Sequence, residues 1–318
     1  MNELAAVVTA LQAAPSIAVL AHVNPEGDAI GSTLGATLAL RAAGKRTAPF
    51  NADPLPPELA HLPGVHEVCC ERPVGFDCYL VLDTSNVERT GGLLAGRPPN
   101  AVVVNVDHHA GNTRFGDVNW VDPAASSAGE MVHRLLRQAG VPIPPPAAAN
   151  LFAAILTDTG NFQFANTHAA ALRAAAALVE AGADPEAIGR GLRANRPLGQ
   201  LRLLGDVLRS LQVTAAGRVA WIEITVAMRQ AVGVGLEVTE EFIEYPRSVA
   251  GVEIAIAFKE IGPDEVRVSL RSFGAPDVAG VAKTFGGGGH HNAAGCTVKA
   301  GLAEAKAQIL PLAEAALA

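Results

Sequence analysis

The chain has 318 residues, of which 49% are apolar and only 4% aromatic, and its formal net charge is −7. That length exceeds one small hydrophobic core and predicts two domains. No apolar run approaches the ~18 residues of a membrane span, and an acidic chain lacks the basic face needed to grip a long duplex by its phosphates, although short nucleotides are not excluded. The start, Met1-Asn2-Glu3, has no basic region, and its apolar patch is cut by Gln12 and Pro15, so no signal peptide is expected. Cys69, Cys70, Cys78 and Cys296 show neither zinc-ligand spacing nor a disulfide framework, which predicts reduced thiols in a cytoplasm.

Residues 17–21 form an apolar run with the character of a buried parallel strand. The loop after it carries His22, Glu26 and Asp28, and a helix is expected from around Ala29, where Leu34, Leu38 and Leu40 restore apolar spacing. A loop between a strand's end and a helix's start is the usual ligand crevice of an open α/β sheet. Gly44 stops that helix, and a loop through Pro54, Pro56 and Pro57 follows. A second strand, residues 78–82, ends at Asp83, and a third, residues 101–106, ends at Asp107-His108-His109. Three strand ends thus carry acid or imidazole groups, and in an open parallel sheet such ends line one edge.

Ser127 and Glu130 have the spacing of a capping box and open a helix that runs to Gly140, where Pro142, Pro144, Pro145 and Pro146 enforce a break. A helix over residues 147–156 presents Asp158 at its end or in a tight turn. The alanine-rich stretch 167–181 is helical on propensity and stops at Gly182. Arg190, Arg193 and Arg196 then punctuate a connector leading into a helical run over residues 198–211, and are read as facing solvent or carboxylates. In the last third, residues 218–226, 252–259 and 266–272 read as strands, the last two joined by a turn at Gly262-Pro263-Asp264. A helix near residues 240–243 precedes Tyr245-Pro246. Another over residues 276–285 delivers four glycines and His290-His291, and a strand over 293–298 and a closing helix end the chain. The predicted architecture is α/β: a mostly parallel open sheet flanked by helices over residues 1–186, a helical connector over 187–211, and a smaller α+β domain over 212–318.

A single aspartate at a strand end is usually a cap or turn residue, and a single histidine an ordinary hydrogen-bonded group. Taken together, His22, Glu26, Asp28, Asp83, Asp107, His108, His109 and Asp158 are a carboxylate and imidazole set without thiolate. Such a set suits manganese, magnesium or zinc, its oxygen-rich balance leans to manganese, and two metals sharing a bridging carboxylate need about this many donors. The glycines at 286–289 beside His290 are either a flexible turn or a backbone nest for a phosphate, with Arg271 placed for bidentate bonds to the same group. Phe162 and Phe164 have the chemistry to stack on a base, but with aromatics so scarce core packing is the expectation for both. His61, His66, His133 and His168 have no motif context.

Seven segments in order carry a family resemblance: HVNPEGDAIGS at residues 22–32, LDTSNVERTG from Leu82, VDHH at 106–109, VDPAASSAGEM at 121–131, TDTGNF from Thr157, SLRS at 269–272 and GGGGHHNAAG at 286–295. They resemble the DHH-family phosphoesterases with an associated C-terminal domain, most closely the bacterial group that degrades nanoRNA and dephosphorylates 3′-phosphoadenosine 5′-phosphate. The resemblance implies one ion on His22 and Glu26, a second on Asp28, His108 and Asp158, and Asp83 bridging both. It further implies that Asp107 orients His108, that His109 serves the scissile phosphate, and that Arg271, Ser272, Gly287, Gly288, Gly289 and His290 hold the substrate's other phosphate across an interdomain cleft.

The implied activity is manganese-dependent hydrolysis, two ions per chain with magnesium or another divalent ion as alternatives, by in-line attack of water. Its substrates would be short oligoribonucleotides, cut to mononucleotides, and 3′-phosphoadenosine 5′-phosphate, which loses its 3′-phosphate. No membrane partner is implied. A homodimer is compatible with the family, and no residue marks its interface. One position departs from the pattern: the family has aspartate where this chain has Glu26, and the extra methylene exceeds the ~0.2 Å tolerance of a metal ligand unless the loop adjusts. The alternatives are a cyclic- or linear-dinucleotide phosphodiesterase and, outside enzymes, a nucleotide-binding regulator whose first metal site is weakened. The glycine and SLRS segments speak against a pyrophosphatase, and the acidic chain speaks against a RecJ-type exonuclease on long strands.

Overall fold

The structure, a computed structural model, describes residues 3–193 and 196–317. Met1 and Asn2, and residues 194 and 195 of the expected connector, lie outside the described residues. The chain divides into two compact units, 1–195 and 196–318, and the division falls inside that connector stretch.

Unit 1 runs α1 (Glu3–Ala13), β1 (Ser16–Leu20), α2 (Gly27–Ala42), β2 (Arg46–Phe50), β3 (Cys78–Leu82), β4 (Val102–Asp107) and β5 (Val118–Val121), followed by α3 (Ala128–Gln138), α4 (Pro145–Asp158), α5 (Ala169–Glu180) and α6 (Pro185–Arg193). Its sheet is wholly parallel in the order β2-β1-β3-β4-β5. β1 and β3 are buried along their whole length, which is why they are continuous apolar runs rather than alternating ones. β2, β5 and α1 add to the predicted elements. β2 contains Pro49, which a strand tolerates only where no neighbour needs its missing N–H, and β2 is an edge strand.

Helices α2 and α4 pack unusually closely, and glycines are the reason. Gly27, Gly31 and Gly35 recur every four residues on α2, hence on one face. A Cβ on Gly27 would stand 2.5 Å from the Thr157 side chain, one on Gly31 2.6 Å from the Asn150 carbonyl oxygen, and one on Gly35 2.5 Å from Leu151. Interaxial distance depends on the side chains at the crossing. Glycine at all three positions brings the amino end of α2 against the carboxyl end of α4.

Unit 2 runs α7 (Leu198–Arg209), β6 (Gln212–Val213), β7 (Val219–Ile224), α8 (Val226–Val232), a 3₁₀ segment (Glu237–Ile243), α9 (Glu244–Arg247), β8 (Ile254–Gly262), β9 (Glu265–Ser272), α10 (Val278–Lys283), β10 (Gly288–His290), β11 (Ala293–Val298) and α11 (Leu302–Ala315). The sheet order is β10-β11-β9-β8-β7-β6, antiparallel except between β7 and β8. One face packs Ile256, Phe258, Val266, Val268 and Leu270 into a core that includes Val278 of α10 and Ile309 of α11. On the other face Ile222, Ile224, Ala255 and Ala257 pack with Leu203 and Val207 of α7. Around β9, β10 and β11 that second face is polar and glycine-rich. No described helix is long and apolar enough to cross a membrane.

Candidate metal centre

The parallel register of unit 1 delivers its chemistry to one sheet edge. His22 follows β1, Asp83 follows β3 directly, and Asp107 is the last residue of β4, on three adjacent strands. The carboxyl ends of parallel strands are where open α/β sheets bind ligands. Backbone strain marks the same edge: Asn24 (φ 53°) and Asp83 (φ 52°) are left-handed without being glycine, and such residues persist only where the surroundings over-determine them.

Asp83 is the centre of the arrangement. Its Oδ2 lies 3.3 Å from His22 Nε2 and its Oδ1 lies 3.3 Å from His108 Nε2. His22 Nε2 is also 3.2 Å from Glu26 Oε1, while His108 Nε2 is 3.8 Å from both Asp28 Oδ2 and Asp158 Oδ2. Three groups bring candidate ligand atoms within 4.8 Å of one another: His22 with Glu26 and Asp83, Asp28 with His108 and Asp158, and Asp83 with His108 and His109. The donor chemistry fits divalent cations. Among the described residues, buried Asp83 Oδ1 faces only the long contacts to His108 Nε2 at 3.3 Å and His109 Nδ1 at 3.6 Å, sparse for a carboxylate oxygen unless something else satisfies it. His22 Nδ1 lies 2.7 Å from the Val23 carbonyl oxygen and must donate to it, which leaves Nε2 with a lone pair in the neutral ring, the tautomer a ligating histidine needs.

Without cations the groups lean on one another. Burial opposes charging His22, but hydrogen bonds to Asp83 and Glu26 outweigh it and hold the imidazole up to about 10. His108 is likewise raised to about 10, burial being overcome by Asp83 and by the charges of Asp28 and Asp158. Burial also penalises the Asp83 carboxylate, yet bonds from His108 and His22 hold it well below the usual range. Asp28 is pushed well up, first by burial and then by the neighbouring charges of Asp83 and Asp158, and burial lifts Asp158 to about 6. Carboxylates sharing so small a volume cannot all ionise unless cations compensate them. Here the histidines supply that charge, and a metal would compete with their protons.

Several residues act differently from the sequence expectation. Glu26 is the N-cap of α2, its Oε1 accepting from Ala29 N at 3.2 Å; the same oxygen faces His22, and its side chain is 55% exposed. Asp107 was expected to orient the His108 ring. It accepts only the backbone N–H of His108, at 2.9 Å, and its carboxylate pairs with the His109 ring at 2.7 Å. That bond, working against burial, raises His109 above its ordinary range. Asn112 Nδ2 donates to the other Asp107 oxygen at 2.6 Å, a partner without sequence motif. The amides of Ala128 and Gly129, at the start of α3, donate to Asp28 at 2.7 and 2.9 Å. The N-cap Ser127 accepts from Glu130 N as predicted, but the Glu130 carboxylate bonds Ser126 rather than completing the box on Ser127.

In unit 2, Arg271 pairs with Ala293, and Ala293 pairs with His290, so Arg271 and His290 project from the same face of the sheet. Ser272 is the next residue on β9 and points to the other face. Its hydroxyl donates to the Pro276 carbonyl oxygen and accepts from Asn292 Nδ2, both at 2.8 Å. The glycine run is divided: Gly286 (φ 70°) lies in a turn, while Gly288 and Gly289 lie in edge strand β10, paired with Gly295 and Ala294. A Cβ at Gly287 would stand 2.2 Å from the Gly295 carbonyl oxygen, so strand approach dictates glycine there. A cavity of about 410 Å³ opens beside it, with Arg267, Ser269 and Thr297 in its lining.

Residues 16–156 match the DHH family, N-terminal domain, and residues 224–318 match the DHHA1 domain. The chain is 35% identical over 285 residues to the bifunctional oligoribonuclease and PAP phosphatase NrnA of Thermus thermophilus, covering 89% of this chain and 84% of that protein. It is 29% identical over 280 residues to the protein of the same name from Bacillus subtilis, covering 87% of each. Among solved structures, an exopolyphosphatase-related protein from Bacteroides fragilis superposes with a TM-score of 0.89 at 25% identity, over 98% of this chain and 96% of that one.

Proposed function

The chain belongs to the DHH family, and from that premise we propose that it is a manganese-dependent phosphoesterase that hydrolyses short oligoribonucleotides and removes the 3′-phosphate of 3′-phosphoadenosine 5′-phosphate. The observation that carries the reading is Asp83, whose two oxygens face two separate donor groups, one around His22 and one around His108. His22, Glu26 and Asp83 would hold one ion, and Asp28, Asp83, His108 and Asp158 the other. An all-oxygen and imidazole set without thiolate favours manganese. Two such ions, when bound, acidify water and neutralise phosphate charge.

The chain's own groups supply the rest. Asp107 fixes the ring of His109 through Nδ1 and favours its charged form, so that Nε2 donates a hydrogen bond to the phosphate under attack. The Ala128 and Gly129 amides hold Asp28 in one orientation, as the surroundings of a metal ligand must. On unit 2, Arg271 and His290 bind a second phosphate of the substrate. Ser272 supports the β9 end through Pro276 and Asn292 rather than touching substrate. The relatives named as oligoribonuclease and PAP phosphatase support the choice of substrates.

The test compares manganese-dependent hydrolysis of a short RNA, 3′-phosphoadenosine 5′-phosphate, a cyclic dinucleotide and pyrophosphate, with metal content measured in parallel. Turnover of the first two, with two ions per chain, is the expected result. If no substrate is turned over faster than by the Asp83→Ala variant, the reading is wrong.

A further inference from the structure

The short loop after Asp158 holds its backbone in an expensive shape. Gly160 (φ 55°), Asn161 (φ 59°) and Phe162 (φ 62°) are consecutively left-handed, a conformation that a bulky residue such as phenylalanine adopts only under constraint. Buried Thr159 supplies that constraint. Its hydroxyl donates to the Ile155 carbonyl oxygen at 2.6 Å and accepts from Phe162 N at 3.1 Å, and its carbonyl accepts from Gln163 N and Phe164 N at 2.9 and 3.0 Å. Asn166 Nδ2 ties the far side of the loop to the carbonyls of Asp158 and Ser126, at 3.1 and 2.9 Å.

The result is a division between two phenylalanines. Phe162 turns inward, its ring 6.1 Å from that of Phe152. Phe164 turns outward, with 58% of its surface exposed, against the expectation of core packing. Its ring rests on Gly160, where a Cβ would stand 2.4 Å from it. Gly160 is two residues beyond Asp158, one of the proposed metal ligands, and Asn166 ties the loop to the Asp158 backbone. The other phenylalanine exposed to a similar extent, Phe273, is covered by the Arg247 guanidinium at 4.3 Å. Among the described residues no aromatic ring or guanidinium covers Phe164. A rigid loop that directly follows a proposed metal ligand and spends strain to hold a bare aromatic face has the character of a stacking platform.

We propose that Phe164 stacks on a nucleobase of the substrate and makes this centre prefer nucleotide esters over base-free phosphoesters; the proposal rests on the phosphoesterase reading above. Every base has a π-face, so the platform accepts purines and pyrimidines alike.

The experiment uses the manganese-loaded full chain and measures KM and kcat for a ribodinucleotide and for its two analogues lacking one base each. Phe164→Ala is expected to raise KM for the dinucleotide roughly 5- to 150-fold, the range of one base–aromatic stack. It should leave kcat within about twofold and leave KM unchanged for the analogue whose missing base is the one that stacks. Phe164→Trp restores the dinucleotide KM. An equal change for all three substrates, or no change for any, overturns the proposal while the enzyme remains a phosphoesterase. Absence of turnover by the unaltered chain overturns the phosphoesterase reading and Phe164's role with it.

Discussion

Three carboxylates at the candidate centre of unit 1 are buried, whereas the arginines on the polar sheet face of unit 2 are at least partly open. Asp28, Asp83 and Asp107 are almost wholly inaccessible, and each is held by imidazoles, amides or a carboxamide. On unit 2, Arg267 is exposed and Arg271 half-buried, and neither guanidinium forms an ion pair with a described residue; the one fully buried cation there, Lys259, reaches Glu240 at 2.8 Å. A buried charge must be compensated in place, whereas an exposed guanidinium is compensated by water until an anion arrives. The first arrangement fixes geometry and tolerates little change; the second offers affinity and tolerates more.

Substitutions should therefore separate the two units by what they disturb. The largest effect is expected for Asp83→Asn. Asparagine accepts the left-handed backbone at this position, so the fold should survive while the two metal groups lose the charged carboxylate they share. Turnover should fall to background and elemental analysis should show depleted metal; full occupancy with normal turnover would remove unit 1 as the metal centre. Next is Asp107→Asn, which leaves the direct donors in place and loosens His109. A loss of about 10- to 100-fold in activity is expected, read in kcat with metal content retained. A shift in metal content without a kcat effect would place Asp107 among the metal-supporting groups instead.

A smaller effect should come from unit 2. Arg271→Ala is expected to raise KM roughly tenfold, the lower range for a charge-assisted hydrogen bond at an accessible site, with kcat and metal content unchanged; depleted metal in this variant would erase the contrast between the units. The smallest belongs to Glu26→Asp. Aspartate is the stronger helix N-cap and the shorter carboxylate, so manganese-dependent activity should hold or rise. A large loss with the fold intact would mean that the first site is built around glutamate.

Much of unit 1 was legible because its central strands have only one way to be soluble: inside. β1 and β3 are continuous apolar runs and β4 is broken only by Asn105, and the polar residue ending each run marks the sheet edge. β2 leaves no such signature, because an edge strand can carry Arg46 and Pro49 without penalty and so resembles a loop in sequence. The glycines before His290 allow either a turn or a nest and give no hint of an edge strand, because glycine carries no side-chain pattern; the carbonyl of Gly295, which excludes any larger residue at 287, is visible only after pairing. The pairing of Asp107 with the His109 ring is not legible in the sequence, because adjacency says nothing about which ring turns back towards a carboxylate. Phe162 and Phe164 differ by two positions and face opposite ways, a division imposed by left-handed backbone that no propensity encodes.

The glycine row on α2 has a consequence for the spacing of the proposed metal ligands. Asp28 and Asp158, both proposed ligands of one ion, stand at the abutting ends of α2 and α4, so their separation is the separation of the two helices. Manganese and magnesium bond oxygen at shorter distances than calcium does, by a few tenths of an ångström, and that is less than the displacement a methyl group on Gly31 would force against the Asn150 carbonyl, 2.6 Å from where its Cβ would sit. In the proposed centre the spacing of Asp28 and Asp158 would thus be set one helical turn away from the nearest ligand, by atoms that would touch no metal.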